Sequence, residues 1–196
     1  MTLETEDLLQ SILDSLDRID YIRPDDIPDI ELYMDQVTTF MDSRLRSSAR
    51  NPGDDKILTK TMINNYAKNH LLPAPDKKKY SKEHLLLLIY IYYYKSILSI
   101  GDIQSLLEPL TERYFHNDGN FNMQSIYEEV FSLEKEQVEK MKQDVTEKYE
   151  TASRIFPEAE AEDQEFLRIF SFICLLSFDV YVKKQVIEKL IDELPK

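Results

Sequence analysis

Residues 85–94 read LLLLIYIYYY, ten consecutive apolar or aromatic side chains. On a helix, ten residues make nearly three turns and so occupy every face. A helix that is apolar all round is stable only when other elements surround it. This segment therefore predicts the centre of a core, in a helix over 82–97 with Ser81 as its N-cap. The rest of the chain must cover it. With 196 residues and 42% hydrophobic content there is enough material for one compact domain, or for a small domain with a helical extension. Only three glycines are present, which argues against a sandwich built on many tight turns. The expected class is all-α.

Helical spacing recurs along the chain. Residues 4–19 set Leu8, Leu9, Ile12, Leu13, Leu16 and Ile19 on one face. Pro24 and Pro28 mark a break. A second helix is expected over 29–46, with a stripe of Ile30, Tyr33, Met34, Val37, Phe40, Met41 and Leu45. Residues 47–56, rich in Ser, Asn, Pro, Gly and Asp, read as a loop. A short helix over 59–69 ends before Pro73 and Pro75, and 77–80 reads as a brief hairpin. Ser99, with Asp102 three residues on, caps another short helix. After the turn at 116–120, a long charged helix is expected over 123–153. Its stripe is Ile126, Val130, Leu133, Val138, Met141, Val145, Tyr149 and Ala152, and it is too irregular for a strict heptad. A last helix spans 163–193.

The apolar run 166–182 contains Arg168 and Asp179 and falls short of the ~20 apolar residues of a bilayer span, so a buried helix is expected. It should be covered by its own chain or by a second copy. Cys174, the single cysteine, lies in this run and is expected in the core. The N-terminal residues lack a basic stretch followed by an apolar one, so no secretory signal is read and the expected location is cytoplasmic.

The net charge of −13 argues against a nucleic-acid binder until its distribution is considered. Residues 44–95 hold eleven Lys and Arg against four acids, a local +7, while the remainder holds 13 basic and 33 acidic residues, or −20. A basic block inside an acidic chain is an electrostatic footprint hidden by the whole-chain sum.

Overlapping that block, 60–107 reads KTMINNYAKNHLLPAPDKKKYSKEHLLLLIYIYYYKSILSIGDIQSLL. The order of short helix, Leu-Leu-Pro, basic turn, apolar helix and capped helix resembles the winged helix-turn-helix of the mercury-resistance-regulator (MerR) family over about 50 residues. Tyr66 falls on the second of that family's paired tyrosines and His70-Leu71-Leu72-Pro73 on its Gly-Leu-Leu-Pro. Lys79-Tyr80 falls on the wing's basic-aromatic pair, and 99–107 on its last capped helix. Three positions depart from the pattern: Asn64 replaces an arginine, Asn65 the first tyrosine and His70 the glycine. The wording INNY and LLPAPDKKKYSKEHL is closer still to a bacterial family described as domain of unknown function 1836. The resemblance divides the chain into an N-terminal helical extension (1–28), a winged helix-turn-helix with a small β wing (29–112) and a C-terminal helical accessory or dimerisation region (121–196).

The resemblance implies a cytoplasmic transcriptional regulator that binds double-stranded DNA as a homodimer. The short helix would enter the major groove with Lys60, Thr61, Asn64, Asn65 and Lys68, Asn being suited to bidentate contact with adenine. Lys77, Lys78 and Lys79 would sit beside phosphates, with hydroxyl donation from Tyr66 and Tyr80. The dozen residues before Thr59 exceed the usual helix-turn-helix connection. Either a short first helix lies within 47–58 or the turn carries an insertion. A different reading is a protein-interaction module that uses the acidic helical surface without binding DNA. The C-terminal helices are read as a dimerisation element, part of an effector pocket with the tyrosines of 90–94, or completion of one core.

No enzyme, cofactor or metal site is expected. His70, His84 and His116 lack ligand spacing, and His84 at the start of a core helix is expected to cap or pack. The 116–122 segment HNDGNFN is a turn, because a calcium loop registered on Gly119 would begin at Tyr114 and end at Ser125. Glu128 and Glu129 are adjacent on a helix surface and do not converge.

Overall fold

The computed structural model describes residues 5–16, 22–51, 53, 56–117 and 119–194, and it is mainly helical. The described elements are α1 (Thr5–Leu16), β1 (Leu32–Tyr33), α2 (Met34–Leu45), α3 (Lys60–Lys68), β2 (Lys79–Tyr80), α4 (Lys82–Tyr94), α5 (Ile100–Tyr114), α6 (Met123–Ser153) and α7 (Ala161–Asp192). Single 3-10 turns lie at Pro24–Asp26 and Arg46–Ser48. The chain forms two compact units. One comprises Tyr21–Phe131 with Glu188–Lys196, the other Met1–Asp20 with Ser132–Ile187. Among the described residues no helix is long and apolar enough to cross a membrane.

In the first unit α4 is central, as its sequence requires: every residue from His84 to Ile91 is buried. Buried in the same unit are Val37, Met41 and Leu45 of α2, Ile63 and Tyr66 of α3, Ile103 and Leu107 of α5, and Met123, Tyr127 and Phe131 at the start of α6. Tyr90 meets Tyr127 and Phe131 at ring-centroid distances of 5.5 and 5.6 Å. The Tyr127 hydroxyl donates to the Ile22 carbonyl at 2.8 Å, tying the start of this unit to its end.

Several elements differ from their sequence reading. The helix expected over 29–46 begins only at Met34, because Leu32 and Tyr33 are extended and pair antiparallel with Tyr80 and Lys79. The Tyr33 N–H is taken by the Gln36 side chain at 2.9 Å, which starts the helix there. Ile30 and Tyr33, placed in the stripe by periodicity, are exposed. The capped helix at Ser99 runs to Tyr114, with Pro109 inside it. On the first turns of α6 the buried residues are Met123, Tyr127 and Phe131, whereas Val130, Leu133 and Met141 are exposed. The aromatic ring cluster around Tyr90 outweighs the aliphatic stripe. Ile19 lies outside the described residues.

In the second unit, Val145 and Ala152 of α6 and Phe172 of α7 form a buried cluster. Leu9, Ile12, Leu13 and Leu16 of α1, Tyr149, Leu175 and Leu176 pack against it. One face of α7 is thus covered, but Cys174 is exposed, contrary to its expected place in the core. The helix is apolar around most of its circumference, and the neighbouring helices of the unit cover only one side of it.

Candidate nucleic-acid interface

The short helix α3 is set by its two ends. Thr59 is extended and its hydroxyl accepts the Met62 N–H at 3.1 Å, an N-cap. At the other end the Leu71 N–H bonds the Tyr66 carbonyl at 2.9 Å and the His70 N–H bonds the Ala67 carbonyl at 3.3 Å. That pair of bonds is a Schellman motif with His70 in the left-handed position, at φ 57°. The departure from glycine at this position therefore carries the left-handed cost that a Cβ imposes.

Between these ends, Ile63 and Tyr66 point into the core, and Lys60, Thr61, Asn64, Asn65 and Lys68 are all exposed. Spaced i, i+1, i+4, i+5 and i+8, those five occupy one solvent-facing arc of about 140°. All five residues proposed for base reading thus share one polar face, to which α3 itself contributes no acid, although Lys60 is paired with Asp35 of α2.

The basic turn is a two-residue hairpin tip. Lys77 and Lys78 have φ 46° and 67°, and the Lys79 N–H donates to the Asp76 carbonyl at 2.7 Å. Two consecutive left-handed residues closing such a turn are the type I′ geometry, in which Asn-Gly is the favoured pair. Both lysines are exposed. The strand that follows pairs with the strand that precedes α2, so a two-stranded sheet links the tip to the start of α2.

Tyr66 and Tyr80, expected to donate hydroxyls to phosphate, are 8% and 4% exposed. Burial pushes both phenols up from their ordinary range. Their rings are packing elements, and the exposed candidates reduce to the α3 face and the lysines. Lys95, counted in the basic block, is also turned inward. Its ammonium donates to the Ile57 carbonyl at 2.9 Å, lies 4.7 Å from the Tyr92 ring centroid and is pushed down by burial.

The block's charge is further modified by an acidic stretch just ahead of it. Lys60 pairs with Asp35, Arg46 with Asp42, Lys82 with Asp29 at 2.8 Å, Lys79 with Glu31 at 3.5 Å and Arg44 with Asp26 at 3.7 Å. These acids lie outside 44–95, which is why a segment count missed them. The run of six acids between 25 and 42 was the available signal. Lys68, Lys77 and Lys78 make no ion pair among the described residues.

His84 caps and packs. Its Nδ1 accepts the Ser81 N–H at 3.0 Å, and its ring lies edge-on to Tyr80 and Phe115. Burial, aided by the nearby His116, pushes the imidazole down to about 4 despite the Pro73 and Ala74 carbonyls and the Glu31 carboxylate. His116 sits in the left-handed region and meets Glu83 at 2.8 Å. The following turn closes through the Asn117 side chain, which accepts the Gly119 N–H at 2.8 Å. No group of metal-ligating side chains forms among the described residues.

The connection between α2 and α3 holds only the 3-10 turn Arg46–Ser48 among its described residues, and no short α-helix is described within 47–58.

Residues 22–130 match the family profile described as Domain of unknown function (DUF1836). The match covers more than half of the chain and nearly coincides with the segment Tyr21–Phe131 of the first compact unit. No curated protein and no solved structure matches the chain.

Proposed function

We propose that this chain, which belongs to the domain of unknown function 1836 family, is a DNA-binding transcriptional regulator whose reading head is a winged helix-turn-helix of the mercury-resistance-regulator type. The observation that carries this reading is the shared exposed polar face of Lys60, Thr61, Asn64, Asn65 and Lys68. A helix presenting two amides and two ammonium groups on one arc is suited to base edges flanked by phosphates. The lysine-tipped turn supports it, because Lys77 and Lys78 offer charge at an exposed tip, where a wing would meet the sugar-phosphate backbone. The pairing of β1 with β2 supplies the strand that such a wing needs. In this reading the protein acts in the cytoplasm and needs no catalytic group or cofactor.

A second reading is favoured by the five ion pairs of Arg44, Arg46, Lys60, Lys79 and Lys82 with acids of 26–42. They reduce the cationic surface and suit a protein-interaction module with an acidic helical face.

Fluorescence anisotropy on a random duplex, from low to physiological salt, decides between the two. The DNA reading expects binding that weakens steeply with salt. Replacing Lys77 and Lys78 by Ala should weaken binding to all sequences and flatten the log–log salt slope by about 2. Asn64→Ala or Asn65→Ala should instead change which fragments are recovered in a selection from random DNA. A folded protein without salt-dependent duplex binding at low ionic strength rules out the DNA reading and leaves the interaction module.

A further inference from the structure

Residues 29–35 read DIELYMD, with three acids and no base. The segment passes through β1 into the first turn of α2. Each acid meets a lysine on a different element of the candidate interface. Asp35 pairs with Lys60 at the start of α3, Glu31 with Lys79 of β2 at 3.5 Å, and Asp29 with Lys82 at the start of α4 at 2.8 Å. One short stretch of chain thus reaches the reading helix, the lysine-tipped hairpin and the first turn of the core helix.

The strand pairing produces part of this arrangement. Tyr33 stands opposite Lys79, and Leu32 opposite Tyr80. Leu32 is buried, so Glu31 and Tyr33 on either side of it share the outward face. Glu31 is therefore the diagonal cross-strand neighbour of Lys79, within reach of a long side chain. The Lys79 ammonium also lies 6.0 Å from the Tyr33 ring centroid.

The pairs are open to solvent. The side chains of Asp29, Glu31 and Asp35 are 84%, 49% and 76% exposed. Exposed pairs contribute little to stability, so holding the fold does not account for them. Their larger effect is on the charge that the surface presents. A lysine beside a carboxylate is, at any longer distance, half of a neutral group. A phosphate approaching Lys60 or Lys79 meets a carboxylate beside the ammonium, and like charges brought together at an interface oppose association. Lys68, Lys77 and Lys78 make no ion pair among the described residues.

We infer that residues 29–35 form an autoinhibitory strap, an internal competitor that holds Lys60 and Lys79 where duplex phosphates would otherwise hold them. The inference rests on the DNA reading and adds a limit to it. With Lys68, Lys77 and Lys78 left open, the sequence-independent hold on a duplex is weak, because it scales with the number of phosphates neutralised. Retention on DNA then depends on base contacts from the α3 face, Asn64 and Asn65 among them.

The test is fluorescence anisotropy of the full chain on a random duplex between about 50 and about 200 mM salt. The wild type is compared with Glu31→Gln/Asp35→Asn, which keeps the size of both side chains and removes both charges. Two lysines released to phosphate should steepen the log–log salt slope by about 2. Affinity should rise on the order of 100-fold at the low-salt end and on the order of tenfold at the high-salt end. Each single variant should steepen the slope by about 1, which keeps the inference testable if the double variant is unstable. Glu108→Gln/Glu112→Gln is the control. It removes two exposed acids of α5 that pair with no cation among the described residues, so it changes the net charge equally and frees no lysine. Circular dichroism and the urea midpoint establish that each variant is folded. A wild type that binds the duplex and a double variant that binds no tighter than the α5 control overturn the inference and leave the DNA reading standing. A gain in affinity without a steeper salt slope also overturns it, and assigns the acids an effect on conformation. Folded wild type and double variant that both fail to bind the duplex overturn the inference and the DNA reading together.

Discussion

Replacing Lys77 by Asn and Lys78 by Gly separates what the hairpin tip does for stability from what it does for binding. Both lysines hold positive φ, 46° and 67°. An L-residue with a Cβ pays about 1–2 kcal/mol for that region, because Cβ crowds the following carbonyl. Neither side chain makes an ion pair among the described residues, so their removal forfeits no such contact there. Glycine at 78 returns about 0.5–1 kcal/mol of the gain through greater freedom of its unfolded chain. Asparagine at 77 relieves only part of the strain, since it tolerates the left-handed region better without escaping its cost. The net expectation is a stabilisation of about 1–2 kcal/mol, which raises Tm by several degrees in a domain of this size. Urea titration gives the midpoint and slope, and calorimetry gives Tm. The variant Lys77→Ala/Lys78→Ala is the control, because it removes the same charges and keeps both Cβ atoms. It should not stabilise. If the tip contacts phosphate, both double variants lose duplex affinity to the same extent, although only one gains stability. A destabilised Asn-Gly variant, or equal stability changes in both double variants, would refute the strain argument.

Two further outcomes follow from the core. For His84 the folded value of about 4 lies below the ordinary 6.5, so between these values the unfolded chain binds a proton that the folded chain does not. Stability is therefore full above pH 6.5 and falls by about 3 kcal/mol toward pH 4, which His84→Asn, keeping an acceptor for the Ser81 N–H, should reduce in pH-dependent denaturant titrations. Tyr127→Phe keeps the ring and removes the hydroxyl that serves the Ile22 carbonyl, so it should cost about 1–3 kcal/mol in urea unfolding and speed hydrogen exchange near residue 22.

Much of the candidate site was legible in the order of residues. Its helix could be bounded from Thr59 and from the prolines after it, and the five polar positions share a face because helical geometry alone places them there. The hairpin tip was legible as a turn. Its left-handed lysines were not, because neither residue type announces positive φ. The tyrosines were misjudged because a phenol serves a core and a surface equally well until its neighbours are known.

The basic block with which the functional argument began is real as a composition, yet its surface charge was settled 53 residues away along the chain, where Asp29 meets Lys82. By itself the sequence determined the local structure: the centrality of 85–91, the caps at Ser81 and Ser99, and the span of α6. Those features depend on interactions within a few residues, which periodicity and capping chemistry encode directly. Only the tertiary structure decided that Leu32 and Tyr33 leave the helix to pair with Tyr80 and Lys79, that Tyr127 and not Val130 faces the core, and that Cys174 lies exposed. A two-residue strand has no period to read, and a helix apolar on several sides has no inner face until its partners choose one.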